Sequence, residues 1–268
     1  MTVMSLTRSS PGALGRTSAL AAAEIRLLLR NRTAVLNSIL MPLLIVAAVP
    51  AFGWGGVSGV GPAVVVSAIG ATLVFLTYYN LVMTLVARRE DRVLQRLRTG
   101  ELTDPEIVLG TSAPTLLIGV LQVVLVAIGV AVLGDWSTPT DVVLPVIALI
   151  GGSALMVALA AASSAFTRTT ESAQITTLPV VLGATALSGL LFPLTLLPEP
   201  LAEAARFLPL TPVLELARLG LTGRTWDGVS VDLAGAWGAA PLPLAVLAAW
   251  LVVGTLIARR VFRWAPRR

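Results

Sequence analysis

Charged residues are absent from long intervals of this chain: none occurs between Arg32 and Arg88, or in 107–134, 142–167, 172–198 and 233–258. A bilayer core of roughly 30 Å is crossed by about 20 predominantly apolar residues in helix, so each of the last four intervals predicts one span. The first is long enough for two, and the Gly-rich tract between Pro50 and Pro62 divides it, since glycines and prolines at that density favour a turn over a continuous helix. The pattern predicts an all-α polytopic membrane protein with six transmembrane helices, at roughly 33–50, 62–87, 108–133, 142–166, 172–191 and 236–259. The non-spanning segments are too short for a core of their own, so 1–268 reads as a single transmembrane domain.

The arginines supply sidedness. All 19 basic residues are Arg, and 16 of them fall in the N-terminal arm, in 88–106, beside the 167–171 turn or in the C-terminal tail. The alternate segments hold Arg206, Arg218 and Arg224 against seven acids. Basic residues near span ends stay cytoplasmic, so both termini are expected inside, in a multi-pass protein of the cell membrane. This distribution also explains the net charge of +5. The arginines flank spans instead of forming one groove, which argues against nucleic acid and for contact with anionic membrane lipid. The apolar run begins only after Arg32, too late for a cleaved signal peptide.

The chain has no Cys, His or Lys. That removes thiolate chemistry, the commonest metal ligand and the lysine of a phosphate-binding loop. No HExxH, CxxC or GxSxG motif occurs either. Catalysis is not expected here, and no cofactor or metal is expected to bind this chain.

Ser18–Arg32 is helix-prone and mixes Ala and Leu with Glu24, Arg26 and Arg30; it is expected along the inner surface. After Arg88 the chain keeps a helical pattern, with Val86, Val93, Leu94 and Leu97 on one face and Arg89, Arg92 and Arg96 turned away, until Gly100 and Asp104–Pro105 interrupt it. Tyr78, Tyr79 and Asn80 on the second span, and Gln174, Thr176 and Thr177 on the fifth, are polar groups in apolar surroundings. Such groups face the protein interior, either lining a path or bonding a neighbouring helix. Charge-free span centres favour an amphipathic or lipid-like cargo, such as a drug or natural product, over a small charged solute. On the outer side, Leu201–Leu208 and Val213–Leu219 read as two short amphipathic helices between prolines, with Glu203–Arg206 and Glu215–Arg218 able to pair locally.

Two stretches carry a resemblance. RREDRVLQRLRTGELTDPEIVLG, through Arg89, Glu90, Leu94, Arg96, Leu97, Arg98, Pro105 and Gly110, is similar to the segment after the second span in type-2 ABC exporter permeases. SGLLFPLTLLPEPLAEAARFLPLTP, through Gly189, Phe192, Pro193, Pro198, Pro209 and Pro212, resembles the half-entering outer hairpin that precedes their last span. The basic end FRWAPRR is similar to bacterial members related to the daunorubicin-resistance permease.

The resemblance implies a permease subunit of an ATP-driven exporter. It also implies an interfacial helix at 18–32, an inner coupling segment at 88–106 that contacts the ATPase through Arg89, Glu90, Arg92, Leu94, Arg96, Leu97, Arg98 and Pro105, and an outer hairpin at 192–220. The implied assembly is two permease copies, most simply a homodimer, with two ABC ATPase subunits that hold ATP and Mg. The alternative is a six-span secondary carrier or channel subunit independent of ATP, against which the lack of an ionisable group at mid-span weighs.

Overall fold

The computed structural model describes residues 12–30, 32, 36, 40, 60–133, 136, 138–190, 194 and 197–265, and its regular elements are helical. They run in the order α1 (Ala13–Arg30), α2 (Val60–Glu90), α3 (Val93–Arg98), α4 (Asp104–Val132), α5 (Val143–Phe166), α6 (Thr170–Leu187), α7 (Glu199–Ala205), α8 (Thr211–Thr222), α9 (Leu233–Ala239) and α10 (Pro241–Val261). Among the described residues α2, α4, α5 and α10 are long and apolar enough to cross a membrane. The chain is therefore an all-α polytopic membrane protein. The expected first span, at 33–50, lies almost wholly outside the described residues. The expected fifth span is α6, whose first half carries Glu171, Gln174, Thr176 and Thr177 and is correspondingly less apolar.

Helix α2 is central: 67% of its apolar stretch is buried, against 17% for α10. It packs against α4, α5, α6 and α8. Leu73, Leu81 and Leu85 of α2 join Leu144 and Leu155 of α5 and Leu214 and Leu216 of α8 in one core. Small residues permit this closeness. A Cβ at Gly152 would sit 2.7 Å from Leu73 Cδ1 and 2.9 Å from Val213 Cγ1, so α5 meets α2 and α8 at a point with no room for a side chain. Helix α8 runs antiparallel to α5, with Val213 beside Gly152 and Gly220 beside Pro145 and the Asp141 carbonyl. It ends at Gly223, whose φ of 59° is the left-handed cap a glycine takes without strain.

Several boundaries differ from the expectation, each for a local reason. Helix α4 starts at Asp104, four residues before its charge-free run is expected to turn helical. Thr103 and Glu106 form a capping box and Pro105 occupies the first turn, so the charged lead is itself helical. The last span begins at Pro241, and α9 is a separate turn of helix capped by Asp232. The two short helices before the last span are Glu199–Ala205 and Thr211–Thr222, shifted from the expected Leu201–Leu208 and Val213–Leu219, because Pro198 and Pro212 set the helix starts.

Helix α1 is more than a surface helix. It packs on α4, where a Cβ at Gly110 would lie 2.5 Å from Leu20 Cδ2. Its Glu24 is buried and takes a two-pronged ion pair from Arg88 of α2, and its Arg16 pairs with Glu106 of α4 at 2.9 Å.

Candidate functional site: the arginine-rich turn and the polar faces of α2 and α6

At the arginine-rich end of α2, two consecutive residues hold two different helix ends. Arg89 is 1% exposed. Its Nη1 donates to the Ser164 carbonyl at 2.7 Å, and its Nη2 donates to the Thr167 carbonyl and, at 3.4 Å, to that of Arg168. The last carbonyls of a helix lack partners within it, and a guanidinium offers a fixed fork of donors to fill them. Arg89 therefore caps α5. The Glu90 carboxylate accepts from Thr170 N at 3.2 Å, the first residue of α6, where the helix dipole favours negative charge.

The helix then breaks. Asp91 N still bonds Ala87 O at 2.9 Å, but Arg92 adopts φ 60°, a left-handed conformation uncommon outside glycine. This turn resets the helical phase, so Val86 and the inward positions Val93, Leu94 and Leu97 belong to two separate helices instead of one continuous face. Arg89 points inward, contrary to the expectation that it turns away with Arg92 and Arg96. Beyond the break, α3 buries Leu94, half-buries Leu97 and leaves Arg92 and Arg96 exposed. Arg98 Nε bonds Asp104 Oδ1 at 3.0 Å, and its guanidinium lies 5.0 Å from the centre of the Trp264 ring. Pro105 follows in the first turn of α4. The 88–106 segment is thus a short helix clamped between α2 and α4 with a basic outer face.

The second group of sequence candidates lies on α2 and α6, which pack together. Within α2, Thr72–Tyr79 forms a π-helix. Its i→i+5 bonding widens each turn, a geometry that is rare and recurs at functional sites. Tyr78 is buried and its hydroxyl lies 3.0 Å from Ser163 Oγ on α5. Thr177 is buried and donates to its own helix, to Ala173 O at 2.7 Å. Both hydroxyls thus have partners inside the bundle. Tyr79 is half-buried, whereas Asn80, Gln174 and Thr176 are exposed. Thr176 Oγ1 lies 2.9 Å from Thr167 Oγ1. The sequence reading did not single out Thr72, whose hydroxyl donates to Gln122 Oε1 at 3.3 Å, or Ser163. A lone hydroxyl in an apolar run signals nothing until its partner helix is known.

Around α7 and α8, Gly189 has φ 80°, Pro198 precedes α7, Pro209 lies in the turn and Pro212 opens α8. Phe192 and Pro193 lie outside the described residues. The expected local pairs of Glu203 with Arg206 and Glu215 with Arg218 are not among the ion pairs of the described residues. Instead Arg206 approaches Glu215 at 3.8 Å across the turn, because α8 folds back beside the end of α7 and carries Glu215 into a buried position. Thr211 Oγ1 to Ala205 O at 2.6 Å closes that turn, and Trp250 Nε1 to Phe207 O at 2.7 Å fastens it to α10. Among the described residues no group of three or more acidic, His or Cys side chains could hold a metal ion.

A comparison with curated proteins gives no match. Residues 55–260 match the model of a family described as ABC-2 family transporter protein, a range that takes in the arginine-rich turn, the polar faces of α2 and α6 and the α7–α8 pair. Members of this family are non-catalytic membrane permease subunits that generally act with ATPase partners. The chain belongs to the ABC-2 family of transporters, as a multi-pass membrane component.

Proposed function

We propose that this chain is one half of the membrane domain of an ATP-driven exporter for an amphipathic compound, such as a drug, natural product or lipid-like molecule. In this reading two copies form the translocation unit, and two separate ATPase subunits bind ATP and Mg. The chain crosses the membrane six times with both termini inside, residues 33–50 and α6 adding to the four long apolar helices. The α7–α8 hairpin enters the membrane partway from outside.

The observation that carries the proposal is the build of 88–106. Leu94 is buried and Arg98 is tied to Asp104, so α3 is fixed to the bundle, while Arg92 and Arg96 remain exposed and basic. A helix clamped this way transmits force from a docked partner into α2 and α4. Arg89 and Glu90 extend the connection to α5 and α6, so in this reading they relay the motion and do not touch the ATPase. The uncovered apolar face of α6, with Ile175 71% and Leu182 60% exposed, supports a second copy there. Such a dimer would place Asn80, Gln174 and Thr176 beside the space between the halves, with Tyr79 near the same path. Between the spans' ends no Asp, Glu, Lys, Arg or His is available to couple an ion.

The test is charge reversal at Arg92 and Arg96 together, to Glu. Membrane yield is expected to stay at wild-type level while co-purification of the ATPase subunit is lost, because an attractive surface becomes repulsive. Full retention of the ATPase by a normally inserted double variant overturns this docking surface.

A further inference from the structure

On the side of α5 away from Tyr78 lies a groove that none of the preceding roles uses. It runs between α4, α5 and α10 and has a cavity volume of about 790 Å³. Helices α4 and α10 both pack on α5 and leave this space between them. Its walls include Val108, Leu109 and Val120 of α4 and Ile150, Ala154 and Val157 of α5. At 1.5 Å per residue, Val108 to Val120 covers about 18 Å, somewhat more than half of a bilayer core of roughly 30 Å. The groove is open: Leu109 is 53% and Ile150 66% exposed.

Charge is segregated along this length, the other polar side chains of the lining being the hydroxyls of Ser153 and Thr255. The charged lining groups, Asp104 and Arg259, sit at one end together with Phe262 and Trp264. Asp104 is compensated there by Arg98 at 3.0 Å, and Arg98 also covers the Trp264 ring. Among the described residues Arg259, Arg260 and Arg263 make no ion pair. An aliphatic trough of acyl-chain proportions with an uncompensated guanidinium and an indole at one end has the chemistry of a lipid seat. Indoles settle at the headgroup level, and an arginine binds a phosphate through paired donors.

We propose that this groove holds an anionic phospholipid of the inner leaflet, one acyl chain lying against α4 and α5 and the phosphate on Arg259. The seated lipid completes the contact between α4 and α10 and touches the Asp104 turn, next to the clamped helix α3. The site is separate from the polar positions on α2 and α6, and of the proposed reading the inference rests only on the placing of both termini inside. On α5, Ala161 faces the groove while Ser163, two residues on and so about 200° around the helix, faces Tyr78.

The test is native mass spectrometry of the full chain, purified in mild detergent and equilibrated with equal amounts of phosphatidylglycerol and phosphatidylcholine. The wild type is expected to retain phosphatidylglycerol in preference. Arg259→Gln is expected to cut that preference about fivefold, the effect of one basic residue at an anionic surface. Ala154→Trp, at an exposed position on the groove wall, is expected to lower retention of both lipids. Arg259→Gln lies near an exposed helix end and decides the question alone if the tryptophan variant does not accumulate. Equal retention of the two lipids, or a preference unchanged by Arg259→Gln, overturns the proposal. So does a fall in dimer fraction in Ala154→Trp with phosphatidylglycerol retention intact, since a second copy would then be the occupant.

Discussion

Arg89 donates to the Ser164 carbonyl at 2.7 Å across 75 positions of sequence, and so the end of α2 carries the cap of the helix α5. The next residue, Glu90, accepts from Thr170 N at the start of α6. Two adjacent residues of opposite charge thereby hold the two ends that the tight turn at 167–169 must join, each matched to the partial charge of the end it meets.

Replacing Arg89 by Ala is predicted to destabilise the protein by about 3 kcal/mol, since charge-assisted bonds are lost and buried carbonyls are left without donors. Arg89→Lys is predicted to recover little of this, because an ammonium lacks the planar fork. Thermal unfolding in detergent measures both. A melting temperature for Arg89→Ala equal to wild type contradicts the capping role.

How much of this was legible beforehand follows from the kind of signal involved. Uncharged runs report solvent directly, so the long apolar helices were readable to within a few residues. The inward turn of Arg89 follows from α2 alone, where Val82, Leu85, Val86 and Arg89 share one face, and it is missed when Arg89 is grouped with Arg92 and Arg96 across the left-handed break at Arg92. The π-helical stretch Thr72–Tyr79 has no marker in a sequence of ordinary apolar residues. Arg206 and Glu215 lie on opposite sides of a turn, so their approach follows from the fold of α7 against α8 and from no periodicity within either.

Tyr78 and Tyr79 are adjacent on α2 and are predicted to behave differently. Tyr78→Phe removes one buried interhelical bond, an effect of about 0.6 kcal/mol in membrane cases, and is expected to leave cargo preference unchanged. Tyr79→Ala and Gln174→Ala are expected to change transport or cargo preference with little loss of stability. Transport and preference intact in both of these variants removes them from the path.

Topology is open to a clean labelling experiment because the chain has no cysteine. A cysteine at Asp227 or at Gly59 is predicted to react with a membrane-impermeant reagent in intact cells, and one at Thr99 only after permeabilisation. Labelling of Thr99 from outside contradicts six spans with both ends inside.

The central claim is that this ABC-2 chain moves an amphipathic compound with energy from a separate ATPase. The most direct measurement reconstitutes it with its ATPase partner in inside-out vesicles and follows uptake of hydrophobic fluorescent compounds alongside ATP hydrolysis. The predicted result is uptake of at least one compound that needs both subunits and hydrolysable ATP, with hydrolysis stimulated by that compound. Transport by the chain alone, driven by an ion gradient and indifferent to ATP and to the ATPase, would contradict the account.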